Sequence, residues 1–135
     1  MERTVMVIED DPLIALDLAQ TLKRAGWVVV GTVPTGEAAV QAFADGARPC
    51  LAILDINLGR GIDGIATAER IREHDPRVIM LFHTAHTDAE TRARAERVQP
   101  FALVEKGTGS RRLLALLEEL CREHEQAPPE RYAAD

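Results

Sequence analysis

Short apolar runs alternate with amphipathic stretches five times along this chain of 135 residues, and that rhythm constrains the fold more than any other feature. The runs are Val5–Ile8, Trp27–Val30, Leu51–Asn57, Val78–Phe82 and Phe101–Glu105. Each is too short for a helix, and the connections between them are too long for hairpins. Right-handed crossovers and a parallel sheet covered on both faces are therefore expected.

The intervening stretches carry helix punctuation. Asp11-Pro12 supplies an N-cap and a first-turn proline ahead of an apolar stripe of Ile14, Leu18, Leu22 and Ala25, which ends at Gly26. Thr35-Gly36-Glu37 opens a second helix with Ala39, Val40 and Phe43, and Asp63 caps a third that carries Ile65, Ala68 and Ile71 to Asp75-Pro76. Asp88–Val98 reads as a fourth helix with little to bury beyond Ala89, Ala93, Ala95 and Val98. Leu113–Glu123 reads as a fifth. The leucines of the fifth form a stripe wider than one sheet face needs, which suits either a dimer or partner face or a well-buried helix.

Composition narrows the function classes. A formal charge of -6 argues against nucleic acid as a direct partner, because a phosphate-binding surface needs concentrated arginine and lysine. No apolar run approaches the length that spans a bilayer and no apolar leader precedes the first strand, so a cytoplasmic protein without membrane insertion is the expectation. Cys50 and Cys121 have no motif spacing and read as buried, reduced residues.

Chemistry gathers where the runs end. Val5–Ile8 leads into Glu9-Asp10-Asp11, the central run ends on Asp55, and Leu103-Val104-Glu105 leads into Lys106. A charge is not tolerated inside a doubly covered strand, so Asp55 belongs at the strand's C-terminal mouth, the edge where open α/β sheets bind ligands. Glu9, Asp10 and Asp55 together would repel one another unless a cation were supplied, and a hard divalent ion such as Mg²⁺ suits such a set. An aspartate can also accept a phosphoryl group, which makes Asp55 a candidate covalent acceptor. Lysine is rare here, so Lys106 at a strand mouth reads as a point charge aimed at one oxygen. Thr84 ends the neighbouring strand with a hydroxyl, and Asp11 is assigned to the helix cap because the apolar register stops at Ile8.

The ordered set Glu9-Asp10, Asp55, Thr84-Ala85 and Lys106 resembles the receiver domain of two-component response regulators, over about residues 4 to 124. The resemblance implies a flavodoxin-like five-stranded parallel sheet in the order 2-1-3-4-5, flanked by helices. It implies that Asp55 is the phosphoacceptor. Asp10 would bind Mg²⁺ directly, Glu9 through water and Asn57 through its backbone carbonyl, while Thr84 and Lys106 would read the phosphoryl group. Ala85 and His86 would tune self-hydrolysis, and Leu13 and Leu16, off the core stripe of the first helix, would contact the phosphodonor. A histidine kinase or histidine phosphotransfer protein is then the expected donor. The output would leave through the fourth helix, fifth strand and fifth helix to a downstream protein, with a homodimer as a further option. Residues 1–125 form the expected receiver, standing alone, and 126–135 a flexible tail.

Two positions depart from the family pattern. Lys106 is followed by Gly107 where proline is usual, and Leu103 occupies a switch position that is often aromatic. These departures motivate an alternative, a degenerate receiver that binds partners without phosphorylation. A phosphatase of the haloacid dehalogenase type is the enzymatic alternative. It would need an acid two residues beyond the nucleophile, where Asn57 stands. The main expectation is a signalling domain and not an enzyme.

Overall fold

The computed structural model describes residues 3–85, 88–98 and 101–126. Five strands and five helices alternate: β1 (Thr4–Ile8), α1 (Pro12–Arg24), β2 (Val28–Val33), α2 (Gly36–Ala44), β3 (Leu51–Leu54), α3 (Gly64–His74), β4 (Ile79–Thr84), α4 (Ala89–Ala95), β5 (Phe101–Glu105) and α5 (Ser110–Gln126). The strands form one parallel sheet in the order β2-β1-β3-β4-β5, as expected.

Side-chain alternation along each strand splits the core into two layers. Met6 and Ile8 of β1, Ala52 and Leu54 of β3, and Met80 and Phe82 of β4 pack with Ala39, Phe43, Ile65, Ile71, Ala95 and Val98, on the side of α2, α3 and α4. Val5, Val7, Leu51, Ile53, Ile79 and Leu81 face the other way, onto Leu18, Leu22, Leu113 and Leu117 of α1 and α5. The central strands are buried on both faces because helices cover both.

Capping follows the sequence signals. Asp11 accepts from the amides of Leu13 and Ile14, Thr35 from Ala38, Asp63 from Ala66 and Asp88 from Thr91. Each satisfies a donor that the first helical turn leaves without a partner.

Several expectations are corrected in detail. The buried stripe of α1 is Ala15, Leu18, Ala19 and Leu22, whereas Ile14 is half-buried and Ala25 exposed. The stripe does not continue to Ala25 because Ala25 is already the C-cap. The second run extends past Val30 to Val33 as β2, with a register shift opposite Val5 and Met6 that leaves Val30 outside the pairing. In α4 only Ala95 is buried, and Val98 beyond its end. Ala89 and Ala93 are exposed, so α4 is held more weakly than its alanines suggested. α5 begins three residues before Leu113 and reaches Gln126, so the expected boundary at 125 falls inside a helix. Residues 127–135 of the expected tail lie outside the described residues. In α5, Leu113, Leu117 and Cys121 are buried and Leu114, Leu116 and Leu120 partly buried, so the wide stripe belongs largely to the core. Among the described residues no helix is long and apolar enough to cross a membrane.

Candidate acidic site at the carboxyl edge of the sheet

Parallel strands deliver their C-terminal ends to one edge, and that edge gathers Glu9 and Asp10 after β1, Asp55 after β3, Thr84 at the end of β4 and Lys106 after β5. Glu9, Asp10 and Asp55 each offer a carboxylate oxygen within 4.8 Å of the others. Glu9 and Asp55 are buried, at 5% and 6% exposure, whereas Asp10 is exposed. A cleft of about 480 Å³ opens above them, lined also by Asn57, Thr84, Ala85 and Lys106.

Lys106 is the cation of the site. Its Nζ lies 2.7 Å from Glu9 Oε1 and 2.8 Å from Asp55 Oδ2. The sequence reads Lys106 as a charge aimed at one oxygen; the structure gives it two, one from each buried acid. The Lys106 amide also donates to the Thr84 carbonyl at 2.6 Å, which fixes the start of the following turn. Burial works to lower the Lys106 pKa, but the hydrogen bonds to Asp55 and Glu9 outweigh it and hold the ammonium above its usual value. For Glu9 burial dominates and raises the pKa, against the Lys106 and Asp11 hydrogen bonds that stabilise its charge. His83, half-buried in β4, has its pKa lowered first by burial and then by the Lys106 charge.

The loop after β3 is held tightly. The Asn57 amide donates to Asp55 Oδ1 at 3.2 Å, and Asn57 Oδ1 accepts from the Gly59 amide at 3.3 Å. A Cβ on Gly64 would stand 2.0 Å from the Asp55 carbonyl oxygen, so only glycine lets α3 start this close beneath the acid. Gly107 has φ +94°, a conformation closed to proline. Two ion pairs and the amide hydrogen bond to Thr84 position Lys106 here.

The remaining expected residues fall into separate regions. Leu13 and Leu16 stand on α1 at 76% and 55% exposure, apart from the acids. Leu103 is partly buried against the core on the α4 side of β5 and lines a second groove of about 560 Å³ with Arg92, Thr108, Arg112 and Leu116. His86 lies outside the described residues. Sequence reasoning missed Asp88 and Thr91, at the start of α4, which also line the acidic cleft. The capping role of Asp88 was the one available signal.

Three carboxylates supply hard oxygen donors on one side of an open cleft, and one lysine cannot balance them all. That donor set fits a small divalent cation such as Mg²⁺.

A doubly covered parallel sheet in this order, with an acid cluster and a lysine at its carboxyl edge, defines an α/β domain with its site at the mouths of the strands. Residues 5–118 match the response regulator receiver domain, and the chain belongs to that family. The phyllosphere-induced regulator PhyR of Methylorubrum extorquens is 34% identical over 107 residues, which cover 78% of this chain and 39% of PhyR. The transcriptional regulatory protein PdtaR of Mycobacterium tuberculosis is 34% identical over 107 residues, covering 75% of this chain and 51% of PdtaR. The chain thus spans about half or less of these relatives. The N-terminal domain of a three-domain response regulator from Carboxydothermus hydrogenoformans superposes with a TM-score of 0.83 at 31% identity, covering 90% of this chain and 96% of that one. A CheY-like receiver from Methanospirillum hungatei shares the fold, with a TM-score of 0.86 at 21% identity, covering 93% of this chain and 98% of that one. Receivers are signalling domains that bind Mg²⁺ at an acidic pocket and interact with histidine kinases or phosphotransfer proteins and with downstream targets.

Proposed function

We propose that this receiver accepts a phosphoryl group on Asp55 from a phosphohistidine of a histidine kinase or histidine phosphotransfer protein. The observation that carries this reading is the position of Asp55: buried, within 4.8 Å of two further acids, and 2.8 Å from the Lys106 ammonium. An Asp55 oxygen attacks phosphorus, the bond from phosphorus to the imidazole nitrogen breaks, and the leaving imidazole takes up a proton. Asp10 and Asp55, with the backbone carbonyl of Asn57 and with Glu9 through water, would hold Mg²⁺. When bound, the ion neutralises charge on the acids and the phosphoryl oxygens.

Lys106 then exchanges a carboxylate oxygen for a phosphoryl oxygen, and the Thr84 hydroxyl donates to another. Thr84 is only 4% exposed, so drawing it toward the acid disturbs packing on the α4 side of the sheet, where Leu103 lies. The weak anchoring of α4 lets that disturbance bias the α4, β5 and α5 surface toward a downstream protein. Ala85, exposed beside the cleft, leaves room for the water that ends the signal. Leu13 and Leu16 present an apolar patch on α1 to the donor.

Incubation with Mg²⁺ and acetyl phosphate tests the reading. An acid-stable, base-labile adduct of one phosphoryl group is expected, absent in Asp55→Asn. Absence of the adduct from the unmodified chain, with Mg²⁺ binding intact, would establish the degenerate, phosphorylation-independent alternative. Asn57 offers no carboxyl for acid-base catalysis, so the phosphatase reading draws no support from the site.

A further inference from the structure

The two cysteines, distant in sequence, meet at the sheet edge opposite the acid cluster. Cys50 immediately precedes β3 and Cys121 lies on α5; both side chains pack in the apolar layer beneath α1 and α5. The two thiols are hydrogen-bonded to one another. The Cys50 amide donates to Thr4 Oγ1 at 3.0 Å and its Sγ to the Thr4 carbonyl at 3.1 Å, which ties the residue to the start of β1. Cys50 is half-buried and Cys121 is 4% exposed, so the pair has one sulfur that a small reagent can reach and one behind it.

We propose that Cys50 and Cys121 form a thiol pair that small-molecule disulfides oxidise to an intramolecular disulfide tying α5 to the foot of β3. The Cys50 thiolate attacks one sulfur of a disulfide such as oxidised glutathione; that S–S bond breaks, one glutathione thiolate leaves, and a mixed disulfide forms on Cys50. Cys121 loses its proton to solvent and attacks the Cys50 sulfur, releasing the second glutathione. Two protein thiols are oxidised and one glutathione disulfide is reduced to two thiols. The division of roles has a physical basis. Cys50 is half-buried and within reach of a small reagent, whereas Cys121 is almost covered; in the same sense, the contact with Cys121 lowers the Cys50 pKa, and that contact and burial raise the pKa of Cys121. The bond would hold α5 without touching Asp55, at the other end of β3.

The full chain is incubated under native conditions with excess oxidised glutathione, and intact mass and non-reducing electrophoresis are recorded. The expected product is a monomer lighter by about 2 Da, reversed by dithiothreitol. Cys121→Ser should instead trap one glutathione on Cys50, and Cys50→Ser should stay largely unmodified. A native chain that remains fully reduced, or that retains stable glutathione adducts without the loss of mass, overturns the proposal. Equal trapping on either single variant overturns the assignment of Cys50 as the attacking thiol.

Discussion

The Lys106 ammonium stands 2.7 Å from Glu9 Oε1, a contact between the ends of the first and last strands, while it also holds Asp55 at 2.8 Å. The lysine is thus the shared counterion of two buried acids, and removing it strands both. Lys106→Met is expected to lower stability by about 1–3 kcal/mol in urea denaturation without Mg²⁺. The raised native pKa of Lys106 means its contribution is complete below its ordinary value of 10.5 and lost as pH rises through the native value. Lys106→Arg should therefore keep its stability to higher pH than the unmodified chain, read from denaturation curves across the alkaline range.

Asp10 is the exposed member of the acid trio, and the Lys106 ammonium pairs with the other two acids. Asp10→Asn is expected to stabilise the metal-free protein by about 0.5–1 kcal/mol through relief of repulsion. Mg²⁺ is expected to raise the melting temperature of the unmodified chain, and the same change should abolish that rise. Melting curves with Mg²⁺ and with a chelator measure both effects.

Gly107→Pro would restore the family's usual residue, yet the +94° φ at this position is closed to proline. A loss of about 2–4 kcal/mol is expected, together with slower labelling of Asp55 as Lys106 is displaced. Gly107→Ala meets nothing within 4 Å of the added Cβ, so its cost should stay near about 1 kcal/mol, from backbone conformation alone.

Gly64→Ala tests the close approach beneath Asp55. The added Cβ would lie 2.0 Å from the Asp55 carbonyl oxygen and 2.7 Å from the Ile56 Cα, both backbone atoms that cannot rotate away. Destabilisation of about 2–4 kcal/mol is expected, with loss of the phosphoryl adduct even where the chain remains folded. Circular dichroism and adduct formation on the same sample separate the two effects.

His83 reports the charge state of the site. Burial first, and then Lys106, hold its pKa below the ordinary 6.5, while Asp55 raises it. Its stabilising contribution is complete above 6.5 and lost as pH falls through the native value. In NMR titrations Lys106→Met should move the imidazole pKa up and Asp55→Asn should move it down. Shifts of the opposite sign would contradict the arrangement of charges described for the site.

Much of this architecture was legible in the residues. The strand-helix alternation, the helix starts at Asp11, Thr35 and Asp63, and the placement of Glu9, Asp10, Asp55, Thr84 and Lys106 at strand ends all rest on local signals: apolar period, cap chemistry and the intolerance of a doubly covered strand for charge. The errors fell where local signals were weak. The second run, read as Trp27–Val30, continues through Gly31 to Val33, because pairing with β1 overrides the low strand preference of glycine. The alanines of α4 gave no phase, since alanine is at home on either face of a helix.

The sequence by itself determined which segments become strands and helices and which acids arrive at the carboxyl edge, because those properties follow from apolar periodicity and from the exclusion of charge from a doubly covered strand. Only the tertiary structure decided that Lys106 would bridge Glu9 as well as Asp55, that Gly107 would take a conformation denied to proline, and that Cys50 would meet Cys121. Such contacts depend on how parallel strands register and how helices settle across them, and no local pattern encodes the distance between residues that only packing brings together.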